Sequence, residues 1–160
     1  MTKHTKILLI IIGISCLPIA ILILMVLTIP ATQAVIRHAN ETSATNTLRF
    51  LNTEEQNYLE MYPQHGYACS LAQLGGSPQS GPATADAAQM ISDDLASGHK
   101  AGYAFAISDC FKQKDQVVSY KLTAAPDAVG HTGNRGFCTD QDGQIRFDSR
   151  GGTNCTELLQ

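Results

Sequence analysis

The sequence predicts an α+β fold in which one long N-terminal helix packs on a small four-stranded antiparallel sheet. Three observations carry this. Residues 7–29 hold no charged side chain, and no glycine stands between Gly13 and Gly66, so a helix can run from the apolar segment to Tyr62. Beyond residue 100 the apolar period changes from 3.6 to 2, the spacing of half-buried strands. Four cysteines, Cys69, Cys110, Cys138 and Cys155, follow the helix and form an even set.

Residues 1–6 carry Lys3 and Lys6 and read as a cytoplasmic N-terminus, since no acidic residue precedes Glu41. Residues 7–29 read as a transmembrane helix. A run of that length rises about 34 Å, against a hydrocarbon core of about 30 Å. The run exceeds the roughly 7–15 apolar residues of a cleavable secretory signal and favours a retained anchor. Membrane helices tolerate Gly13 and Pro18. Residues 30–63 continue the helix past a kink at Pro30. Leu48, Leu51, Tyr58 and Tyr62 keep 3/4 spacing with Glu55 in the same stripe, which predicts one buried face. Residues 37–46 are polar and Thr/Ala-rich, with little to bury, so Glu41, Glu54 and Glu55 read as solvated helix charges. Pro63 pushes Tyr62 out of the α region and ends the helix.

Residues 64–160 form the globular head. A loop rich in Gly, Ser and Pro covers 64–85, broken by a short turn at Leu71–Leu74. A second helix is predicted over 85–97, with Met90, Ile91 and Leu95 apolar and Gly98 as its stop. Tyr103, Phe105 and Ile107 then alternate with small residues, as do Val118, Tyr120 and Leu122 with polar ones, around a polar hairpin loop at 112–115. A Gly/Asn-rich turn at 130–134 leads to a second hairpin, strands 136–140 and 144–149, with Asp142-Gly143 as its turn.

An even cysteine set outside the cytoplasm implies two disulfides, and three pairings are open. The layout favours Cys69–Cys110, clamping the loop onto the first strand, and Cys138–Cys155, tying the tail to the third. Each bridge would contribute about 3–4 kcal/mol by restricting the unfolded chain. Eleven basic residues against fourteen acidic give a net charge of −3, and Lys3 and Lys6 lie before the head. That balance excludes a nucleic-acid surface and a polybasic lipid patch.

Catalytic candidates do not emerge. Ser70, Ser108 and Ser119 have no fixed His/Asp partner, no Gly-x-Ser-x-Gly elbow exists, and His65, His99 and His131 fall in loops. No cysteine pair has zinc-ligand spacing. Asp140 and Asp142, before Gly143, have the flavour of a calcium loop but lack the later glutamate. A tight Asp-Gly hairpin turn explains the same residues. The chain reads as a non-enzyme with calcium as its one cofactor candidate.

An apolar segment continuing into an amphipathic helix, then loop, short helix and antiparallel sheet, resembles the type IV pilin and pseudopilin family. The wording that carries the resemblance is Asn40-Glu41-Thr42-Ser43-Ala44, Leu48-Arg49, Asn52-Thr53-Glu54, Gly66-Tyr67-Ala68, Leu71-Ala72-Gln73-Leu74-Gly75-Gly76, Leu95-Ala96-Ser97-Gly98, Lys100-Ala101-Gly102-Tyr103 and Phe137-Cys138-Thr139-Asp140. The chain departs from the family at its N-terminus: no glycine precedes an aromatic residue at a cleavage position, and no acid stands in the apolar run. The resemblance implies a structural subunit, a minor component of a type IV pilus or type II secretion pseudopilus. Its partners would be the lipid bilayer and other pilin-like chains, at a bacterial inner membrane with a single pass and an extracytoplasmic head. The competing expectation is a monomeric, membrane-anchored binding domain that reuses the same fold without a filament.

Overall fold

The computed structural model describes the backbone of residues 3–159 and the side chains of Pro18 and residues 32–159. The chain forms two compact units, Met1–Ile36 and Arg37–Gln160. Helix α1, Lys3–Met61, supplies the described backbone of the first unit and opens the second. In the first unit Val35 and Ile36 are exposed.

In the second unit, the buried side chains of α1 are Glu41, Ala44, Thr45, Thr47, Leu48, Leu51, Glu55 and Tyr58. Their spacing of three and four keeps most of them on one face. That face meets Tyr103, Phe105, Tyr120, Leu122, Ala124 and Phe137 of the sheet in one apolar core. The helix ends where Pro63 requires, with the Tyr62 N–H still reaching the Tyr58 carbonyl. Residues 37–46 bury more than the sequence predicts, because Ala44 and the threonines let the backbone of α1 approach the head closely.

Six antiparallel strands form one sheet in chain order: β1 (His99–Lys100), β2 (Tyr103–Gln113), β3 (Gln116–Pro126), β4 (Gly136–Asp140), β5 (Arg146–Asp148) and β6 (Glu157–Leu158). The expected four-stranded sheet is therefore corrected to six. The two additions are edge strands of two residues, too short to show any periodicity. β1 joins β2 through Ala101-Gly102, both at positive φ, and β6 is the C-terminal tail paired with β5. The expected membrane-spanning helix is corrected as well. Among the described residues, no helix is long and apolar enough to cross a membrane. Apart from Pro18, the stretch 7–29 on which the span was placed lies outside the residues whose side chains are described.

Two further expectations change. The helix expected over 85–97 shrinks to α3, Asp93–Ala96. The N–H groups of Ala88, Gln89 and Met90 instead bond to the carbonyls of Gln73, Gly75 and Leu74, around helix α2, Leu71–Leu74. Gln89 turns to φ +58°, which no helix accommodates. In β3, Tyr120 and Leu122 point inward as expected, but Val117 is buried and Val118 exposed. Register shifts between Ser108 and Lys112 of β2 displace the pleat by one residue at that end of the hairpin. A two-residue turn, Lys114-Asp115, closes the hairpin with both residues at positive φ.

Candidate functional site

The β-sheet alternation sends every second residue of β3, β4 and β5 away from α1. On that outer face Lys121 lies opposite Asp140, Thr123 opposite Cys138, and Cys138 opposite Arg146. After β5 the chain turns at Asp148, whose carboxylate accepts from the Arg150 N–H at 2.9 Å, and comes back across this face. Gly136 permits the crossing: the Gly152 carbonyl sits where a Cβ would stand. The Cys138–Cys155 disulfide then fixes the tail, and Lys121 Nζ donates to the Thr153 carbonyl at 2.9 Å.

The result is a groove of about 300 Å³ lined chiefly by Asp109, Ser119, Lys121, Asp140, Arg146 and the Cys138–Cys155 bridge. Sequence reasoning singled out Asp140, Cys138 and Cys155, and the fold brings these together. It missed Asp109, Lys121 and Arg146. Asp109 enters only because the chain turns to φ +51° there, within the β2 irregularity. No local sequence signal marks that residue.

Charges in the groove are paired. Arg146 Nη2 lies 2.6 Å from Asp142 Oδ2, and Nη1 lies 3.6 Å from Asp140 Oδ2. Lys121 is 3.8 Å from Asp109. The Arg146 hydrogen bond holds the Asp142 carboxyl down to about 2, with the Asp140 contact and the Gln144 N–H adding to it. Asp140 moves the other way: burial pushes it up, and the neighbouring Asp142 adds to the rise. Asp142 also serves the hairpin turn, accepting from the Gln144 N–H, while its own N–H donates to Asp140. A guanidinium thus stands where the sequence suggested calcium. Among the described residues, no group of three or more His, Cys, Asp or Glu side chains is placed to hold a metal ion.

The other predicted bridge, Cys69–Cys110, spans 6.0 Å between Cα atoms and joins the loop before α2 to β2. Ser70 serves as the N-cap of α2, accepting from the Gln73 N–H, and His99 faces Asp127 at 3.2 Å on the surface.

Two acids expected to be solvated are buried. Glu41 Oε1 accepts from the N–H groups of Asn134 and Arg135, and Oε2 accepts from Arg135 Nε and Nη2 at 2.9 and 2.8 Å. Burial alone would raise its pKa, but the backbone donors and the guanidinium together hold it below the ordinary value. The Arg135 guanidinium also lies 5.3 Å from the ring centres of Phe137 and Phe147. Arg37, one turn earlier on α1, and Asn40, the residue before Glu41, donate to the carbonyls of Gly130 and Thr132. One helical turn therefore holds the whole 130–135 loop. Glu55 is fully buried: Oε2 accepts from the Ala68 N–H at 2.8 Å, and Oε1 has no partner.

Comparison with family models, with curated proteins and with solved structures finds no match to this chain.

Proposed function

We propose that this chain is a structural subunit of pilin-like type, a minor component of an extracytoplasmic filament of the pilus or secretion-pseudopilus kind. The observation that carries the reading is the division of labour along α1. Its inner face is committed to the head by Leu48, Leu51, Glu55 and Tyr58, while Thr42, Asn46, Arg49, Phe50 and Thr53 stay exposed on the opposite side. A helix with one face locked and the other free can pack against neighbouring helices. The two disulfides support a head that works outside the cytoplasm. The test is recovery of the chain in sheared surface filaments or in an isolated secretion complex. Substoichiometric recovery beside an abundant pilin-like chain is expected, and absence from every such assembly would defeat the reading.

The charged groove on the outer sheet face favours a second reading, a binding domain displayed as a monomer. Its paired Lys121/Asp109 and Arg146/Asp142 would exchange partners with a ligand carrying both charges, such as a peptide segment. Substitutions in the groove, with filament association intact, separate the two.

A further inference from the structure

We propose that Glu55 is a proton-operated latch: while neutral it lets the 66–74 segment stay packed on α1, and once ionised the cost of its buried charge opens that segment to water. Glu55 sits mid-stripe on α1 between Leu51 and Tyr58, with no exposed surface. Its one bond to the head is the Ala68 N–H, and Ala68 is itself fully buried next to the Cys69–Cys110 bridge. The second oxygen is buried without a partner, a site that suits a neutral carboxyl far better than a carboxylate.

The surroundings offer the ionised form nothing more. The titratable groups whose charge acts on Glu55 or its neighbours are Tyr58 on α1, Tyr120 on β3 with Tyr67 beside it, Asp86 and Tyr62 towards Tyr58, and Asp140 towards Tyr120. All are phenols or carboxyls, and among the described residues no Lys, Arg or His pairs with Glu55. Burial accordingly pushes the Glu55 carboxyl up to about 8, with the Ala68 N–H opposing. Glu41, four turns earlier, is the contrast: also buried, it is met by a guanidinium and two N–H groups and keeps its charge. The segment Glu55 holds carries Tyr67, which with Leu59, Pro63, Val117 and Val118 lines a small apolar recess at the end of the β2–β3 hairpin. Deprotonation would therefore change the shape of the head there.

The experiment follows the Glu55 carboxyl carbon and the Ala68 amide by NMR in the full-length chain from pH 4 to pH 9.5, beside Glu55→Gln. The wild-type carboxyl should titrate near pH 8. Between about pH 4.5 and 8, Ala68 protection, corrected for base-catalysed exchange, should fall by about tenfold per pH unit and then level off, with no such fall in Glu55→Gln. A carboxyl titrating in the usual carboxylate range, or equal loss of protection in both proteins, would overturn the latch. If Glu55→Gln does not fold, the wild-type titration decides by itself.

Discussion

Glu41 and Glu55 share a helix face, yet their surroundings drive them to opposite protonation states. Glu41, with its pKa lowered, adds stability above the ordinary carboxyl range, and that contribution is lost as pH falls through its depressed value. Glu55, with its pKa raised from 4.5 to about 8, behaves in reverse. Its contribution is complete below 4.5 and declines by about 1.4 kcal/mol per pH unit until pH reaches about 8. Two outcomes follow. Arg135→Ala leaves the buried Glu41 carboxylate only its two backbone N–H donors and should cost about 1.5–3 kcal/mol in chemical denaturation at pH 7. Glu55→Gln should flatten the stability–pH curve between pH 5 and 8, an effect that denaturant midpoints taken at several pH values would reveal. The sequence could not foretell either state. Arg135 lies 94 positions from Glu41, and the Glu55 environment is assembled from a loop and a strand far along the chain.

At the level of elements, what the sequence made legible was what local pattern dictates. The end of α1 followed from Pro63, the two hairpins from alternation and Asp142-Gly143, and the disulfide pairs Cys69–Cys110 and Cys138–Cys155 from the order of the elements. Elements fixed by tertiary contact were not legible: β1, β6, the β2 irregularity and the irregular path of residues 84–91. The groove shares that split, since Asp140 and Cys138 stand on a predictable strand while Asp109 arrives through an irregularity. The sequence separation across Cys138–Cys155 is 17, so Cys138→Ser with Cys155→Ser should cost about 3 kcal/mol. Hydrogen exchange should show β6 released while β2 and β3 keep their protection. In the first hairpin, Lys114 and Asp115 pay for positive φ without being glycine. Replacing the pair with Asn-Gly, the sequence that turn prefers, should raise stability on the order of 1 kcal/mol by thermal melting.

On the scale of the whole molecule, the head is a self-contained unit beginning at Arg37, its sheet bound to one face of α1 and its tail and loop each held by a disulfide. That construction leaves two surfaces for partners: the outward face of α1, and the groove between β3, β4 and the tail. The subunit reading needs the first to be occupied in the cell and the binding-domain reading needs the second. Site-specific photo-crosslinking compares them directly, with a reactive residue placed in turn at Thr42, Asn46 and Phe50 on α1 and at Gln141 and Thr153 beside the groove. Crosslinks from the α1 positions to a pilin-like chain, with none from Gln141 or Thr153, are the predicted result; crosslinks confined to the groove positions, or none from α1, would contradict it.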